Sequence, residues 1–179
     1  MGAIKPVEKV KYFVALLTAF DDLVEPVKKE LAKRFGPVDR ESEPIPFTQT
    51  DFYAAEMGTG LKRRFLSLAM LRESEDLAQM KVFSNYVEKD FAQKFASKGV
   101  KRPVNLDPGY LTLMKVALAT TKNAAHRVYM QQGIYGESTL QYVDGQWRPW
   151  PWTYPDYATP AYTNFFLSVR QVYMSQSHF

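Results

Sequence analysis

Cysteine is absent from the 179 residues, which removes disulfides, thiolate zinc sites and thiol catalysis together. Histidine is almost absent. His126 and His178 cannot build a multi-histidine metal centre; a hard-cation site on carboxylates stays open but has no motif behind it, and no metal-ligating residue is assigned. Long apolar runs are missing as well: stretches such as 12–17 and 116–119 fall far short of the roughly 20 residues that span a bilayer. The N-terminus has a basic start and an apolar stretch, superficially like a signal peptide. Asp21, Asp22 and Glu25 follow it without a small-residue cleavage site, and Pro6 stands where myristoylation wants Ser or Thr. A soluble, cytoplasmic, unprocessed protein with no membrane partner is the expectation.

Charge is what the second half lacks. Residues 1–102 carry 18 of the 23 Lys/Arg and 15 of the 19 Asp/Glu, whereas residues 103–179 carry 5 and 4 yet hold all three Trp. A net charge of +4 on this length is what ordinary soluble domains carry, so it argues against a nucleic-acid partner without excluding one. Each charge kept in the aromatic second half is therefore a candidate for a specific task.

The apolar pattern gives an α+β chain of one domain over 1–179. Residues 11–19 form a strand apolar on both faces. Asp21 or Asp22 caps a helix with Leu23, Val27, Leu31 and Phe35 as its stripe, ended by Gly36 and Pro37. Pro44 and Pro46 make 41–53 an edge strand or an extended loop, and 61–71 is a second apolar strand. Ser74 caps a long helix whose inner face is Leu77, Met80, Val87, Phe91 and Phe95, and a short strand follows at 104–106. The order β-α-β-β-α-β is the ferredoxin-like split βαβ core. Asp107-Pro108 then starts either a helix to Lys122 or, through a turn, a strand; the helix is preferred. Strands at 126–130 and 134–143, a hairpin at Asp144-Gly145 onto 146–150, and a closing helix over 162–174 complete the chain.

No P-loop, GxGxxG, HExxH, GxSxG or EF-hand pattern occurs. The sparse charges of the second half take their place: Asp107, Lys115, Lys122, His126, Arg127 and Glu137. A helix puts Lys115 and Lys122, seven apart, on one face, where two ammonium groups suit a phosphate or simply face solvent. His126 and Arg127, adjacent on a strand, point to opposite sides; His suits proton transfer and Arg suits clamping an anion. Glu137 needs a partner if buried, and Arg127 can supply it. Asp107, His126 and Glu137 are thus the candidate catalytic residues. In the first half GTGLKRR (58–64) sets two glycines before Lys62 and Arg63, an anion cradle or a solvated basic turn, with Arg63 opposite Lys62 and Arg64. The run 147–157, with three Trp, two Tyr and three Pro, is either a stiff flap completing the core or a wall that stacks on a flat ligand.

Three blocks carry a resemblance: SEPIPFTQTDFYAAEMGTGLKRRF (42–65), VNLDPGYLTLMKVALATTKNAAHRVY (104–129) and PWTYPDYATPAY (151–162). With their DPGY and TYPDY motifs they resemble a family of small bacterial proteins classed as a domain of unknown function, whose members are often automatically labelled GTP-binding. The resemblance brings no fold or activity with it, and Tyr110 of the DPGY block joins the candidate ligand-binding residues. P-loop GTPase machinery is not in this chain: Thr121-Lys122-Asn123 echoes the guanine-reading motif without its carboxylate.

The expected function is binding, with turnover left open, of an anionic, phosphate-bearing small molecule such as a nucleotide. Lys62, Arg63, Lys115, Lys122, Arg127 and Tyr110 would hold it, and no cofactor is specified. An RNA-binding module is the alternative, although no RNP1-like string is present, and a non-catalytic scaffold is the third. The oligomeric state is left open.

Overall fold

The computed structural model describes residues 2–4 and 6–177; His178 lies outside them. It has mixed helix and sheet, as expected. Its strands are β1 (Val10–Thr18), β2 (Val38–Glu41), β3 (Ile45–Pro46), β4 (Lys62–Arg72), β5 (Asn105–Leu111), β6 (Lys115–Thr120), β7 (Val128–Gln131), β8 (Ile134–Val143) and β9 (Gln146–Pro149). The helices are α1 (Val24–Phe35), α2 (Ala54–Met57), α3 (Leu77–Lys94) and α4 (Pro160–Ser177). All strand pairs are antiparallel, in the order β2-β4-β1-β5-β6-β8-β7, with β3 added on β4 and β9 on β8.

The double apolar face of β1 follows from burial on both sides. Tyr12, Val14 and Leu16 pack with α1 and α3, while Phe13 and Ala15 pack with α4 and the Trp147–Tyr157 region. Leu23, Val27, Leu31 and Phe35 are buried as the helical spacing requires. Neither Asp21 nor Asp22 caps α1 through its side chain: Asp21 pairs with Lys62 and Arg64, and Asp22 with Lys98. Ser74 likewise opens a 3-10 turn, Ser74–Asp76, rather than acting as a side-chain cap.

The preferred helix after Asp107 is a correction. Residues 105–111 pair with β1 and residues 115–120 with β8, joined by a turn in which Thr112 N–H donates to the Lys115 carbonyl. Two neighbouring strands offering complete ladders outweigh the local N-cap and Pro signal. The expected strand at 104–106 is in consequence longer. The stretch 41–53 holds the last residue of β2, the short β3 and loop, with α2 following it. The Asp144-Gly145 turn has positive φ at both positions, 51° and 77°, as a two-residue hairpin between right-twisted strands needs. Gln132-Gly133, at 54° and 75°, makes the same turn between β7 and β8.

One irregularity positions the site. β5 pairs with β6 only over Gly109–Leu111, so the sheet opens between Asn105–Pro108 and the far end of β6. The ladder groups of Leu106 are met by α3 side chains instead: its N–H donates to Glu88 Oε1 at 2.7 Å, and its carbonyl accepts from Lys81 Nζ at 2.9 Å. Pro108, two residues on, has no N–H to leave unpaired at this gap.

Candidate functional site

The gap is the floor of a cavity of about 780 Å³. Its walls come from α3 (Lys81, Asn85, Glu88), from the end of β6 and the turn after it (Leu118 to Lys122) and from the loop before α2 (Phe52, Tyr53). The segment Tyr154–Tyr157 closes the remaining side.

Asp107 sits on the floor with 30% of its side chain accessible. Its Oδ1 accepts from Lys81 Nζ at 3.1 Å and its Oδ2 from Asn105 Nδ2 at 2.6 Å, with Arg63 Nη1 3.7 Å away. Burial pushes this carboxyl up, but Lys81 and Arg63 outweigh burial and hold it below the ordinary aspartate value. Arg63 is 4% exposed; it donates to the Ala15 carbonyl at 3.3 Å and lies 5.3 Å over the Phe47 ring. Among the described residues its Nε has no hydrogen-bond partner. Asn105 continues the network by accepting from Arg102 Nη1 at 3.0 Å, and Arg102 reaches Glu56 and Glu88 in turn.

Two further acids face the same space. Burial raises Asp156 above its ordinary value against the pull of Arg63, and burial raises Glu88 against Lys81. On the other wall Glu137, 5% exposed, accepts from Arg127 Nε at 2.6 Å; Arg127 also donates to the Lys122 carbonyl at 3.1 Å and to Tyr154 Oη at 3.2 Å.

Of the residues expected from the sequence, the structure gathers Arg63, Asp107, Lys122, Arg127 and Glu137 around this one cavity. His126 stands just behind the wall, its Nε2 3.3 Å from Glu137 Oε2 without hydrogen-bond geometry, and it does not line the space. His126 and Arg127 do not point to opposite sides. Both lie in the turn before β7, where strand alternation has no hold, and both approach the same carboxylate oxygen.

Three expected ligand residues lie elsewhere. Lys62 faces away from the cavity and pairs with Asp21 at 2.5 Å. Tyr110 and Lys115 belong to the other end of the β5–β6 pair, where they border a separate groove. As residues of a strand and the turn after it, Lys115 and Lys122 do not share a helical face.

The aromatic run divides between the core and the cavity wall. Trp147 and Tyr157 are buried in the core, whereas Tyr154 and Tyr157 border the cavity. Trp150 stacks on Trp152 at 5.3 Å and 6°, and Trp152 on His126 at 5.4 Å and 11°, a three-ring ladder behind Glu137.

The sequence reading passed over Lys81, Asn85, Glu88 and Asp156. Lys81, Asn85 and Glu88 have i, i+4, i+7 spacing beside the apolar stripe of α3, a polar strip on one helix face that was there to be found. Asp156 is the acid of the TYPDY motif itself. Among the described residues no group of three or more His, Cys, Asp or Glu could hold a metal ion, and no helix is long and apolar enough to cross a membrane.

The fold is mixed helix and antiparallel sheet, and the sequence places the chain within a family. Residues 8–173 match the model of a domain of unknown function, DUF4416, and the chain belongs to that family. No curated protein and no solved structure gives a significant match.

Proposed function

We propose that the cavity binds a small, phosphate-bearing anionic molecule, a nucleotide being the representative case, by means other than P-loop machinery. The observation that carries this is the opening between β5 and β6, walled by aromatic rings and floored by an ionised carboxylate with two buried cations. Its volume lies in the range of small-molecule sites, roughly 300–1,000 Å³. Burying Arg63 and Lys81 beside the half-buried Asp107 is not an efficient way to stabilise a fold, because desolvation offsets most of the attraction. Perturbed ionisable groups lining a pocket favour a functional reading. Phe52, Tyr53 and Tyr154 offer flat faces, and the lining holds five cations against four acids.

The frame fits the same picture: we read β2-β4-β1-β5 with α1 and α3 as a ferredoxin-like split βαβ core, extended by β6–β9 and closed by α4. Turnover is favoured by one observation, that Asp107 is held ionised while burial favours the neutral form of Asp156 across the same space. Opposed environments of this kind assign a base and an acid. An RNA-binding surface draws less support, since the site's rings line a pocket rather than an open sheet face.

A thermal-shift screen of nucleotides, nucleotide sugars, coenzyme A and sugar phosphates tests the binding reading. A ligand at a hundred times its dissociation constant adds roughly 2.7 kcal/mol to stability. A screen with no shift contradicts it.

A further inference from the structure

The cations of the cavity are not equivalent. Lys81 is committed to Asp107 and the Leu106 carbonyl, Arg63 faces Asp107, Arg102 faces Glu56 and Glu88, and Arg127 is held by Glu137, Tyr154 and the Lys122 carbonyl. Drawing Lys81 or Arg127 onto a ligand phosphate would leave Asp107 or the buried Glu137 without its cation, a change that costs more than the new contact returns.

Lys122 differs. Among the described residues it is the cation of this lining with no carboxylate within ion-pair distance. Its ammonium lies 5.1 Å from the centroid of Phe52, itself 67% exposed, so both stand at the mouth. The backbone beneath is fixed from two sides: Lys122 N–H donates to Thr120 Oγ1 at 3.2 Å and its carbonyl accepts from Arg127.

The floor has the opposite character. Each Asp107 oxygen accepts one hydrogen bond where a carboxylate oxygen can accept two, so it can take further donors. A phosphate driven down to it would meet the Asp107 carboxylate, with Lys81 and Arg63 already turned to that group, whereas the N–H groups of an uncharged ring would find an acceptor.

We infer that the ligand enters ring first. An uncharged, hydrogen-bonding heterocycle donates to Asp107 between Tyr53 and Tyr154, and the phosphate stays at the mouth on Lys122 beside Phe52. This rests on the binding reading above and adds the ligand's orientation and its minimal form, a heterocycle with a single outward phosphate.

Calorimetric titration of the full chain with AMP, GMP, CMP, UMP and the four parent nucleosides tests it. For the base that binds best, the nucleotide should exceed its nucleoside by about tenfold, the value of one charge-assisted contact. Lys122→Ala should bring the nucleotide down to the nucleoside's affinity while leaving the nucleoside unchanged, and Lys122→Glu should place the nucleotide below it. Lys122 is exposed, so both variants should fold as the wild type does. If Lys122→Ala and Lys122→Glu leave the nucleotide-to-nucleoside ratio unchanged, the orientation is wrong while the binding reading survives. If none of the eight compounds binds the wild type, the orientation falls together with the nucleotide as its representative ligand.

Discussion

Lys81 Nζ lies 3.1 Å from Asp107 Oδ1 and with the same ammonium closes the Leu106 carbonyl at 2.9 Å. One side chain from α3 thus neutralises the floor of the cavity and fills a ladder position that β6 leaves open. The charge cluster and the break in the sheet are one feature.

Asp107→Asn should therefore cost about 3 kcal/mol of stability at neutral pH, because it leaves Lys81 and Arg63 buried without their counter-charge. The folded-state pKa of Asp107 is lowered, so the carboxylate's contribution is complete above the unfolded value near 3.9 and is lost as pH falls through the folded one. Urea unfolding of both proteins between pH 7 and pH 2.5 should show the gap constant at first and closing only in acid. A gap that does not depend on pH would contradict the assignment.

Asp156 carries the opposite sign. Its folded pKa is raised by burial, so the favourable contribution belongs to the protonated form, is complete below the unfolded value and is lost as pH rises through the raised one. Asp156→Asn should match the wild type near pH 3 and be the more stable protein at pH 8. Lower stability of the variant at pH 8 would show instead that Arg63 depends on the Asp156 charge.

Gly109 sits where β5 meets β6, and a Cβ there would lie 2.4 Å from the Ala117 carbonyl oxygen and 2.6 Å from Phe13 Cζ. Backbone cannot yield as a side-chain tip can. Gly109→Ala should cost about 3 kcal/mol, visible as a lower urea midpoint at unchanged slope.

Trp152→Ala removes the middle ring of the His126–Trp152–Trp150 ladder and the bond from Trp152 Nε1 to the Ser138 carbonyl at 2.9 Å. A loss of about 1–2 kcal/mol is expected. Near-ultraviolet circular dichroism should lose the signal of the stacked indoles; an unchanged spectrum would mean that the stack does not persist in solution.

The elements legible in the sequence were those whose pattern is local: the α1 stripe, the twin apolar faces of β1 and β4, and the Asp144-Gly145 hairpin. The stretch 107–122 was misread because its local signals suit a helix while its burial is decided by β1 and β8, distant in sequence. The charge-poor second half led to Asp107, Lys122, Arg127 and Glu137 because polar groups retained among apolar neighbours need a reason. The same logic failed for Lys81 and Glu88. They lie in the charge-rich half, where nothing in composition separates a buried cation from the solvated ones around it, and only the i, i+4, i+7 strip beside the apolar face distinguished them. Lys115 is a candidate on the helix face it would share with Lys122, and Tyr110 as part of the DPGY block; the run of the β5–β6 pair away from the gap carries both to a separate groove.

The central claim is that this cavity is where a small ligand binds. Thr121 borders the mouth with an exposed side chain, so Thr121→Trp can fill the space without disturbing the core. Thermal unfolding of wild type and Thr121→Trp, each with and without the nucleotide panel at saturating concentration, tests it most directly. The prediction is equal melting temperatures without ligand, a ligand-dependent rise in the wild type, and no rise in the variant. An undiminished rise in Thr121→Trp, or none in either protein, would contradict it.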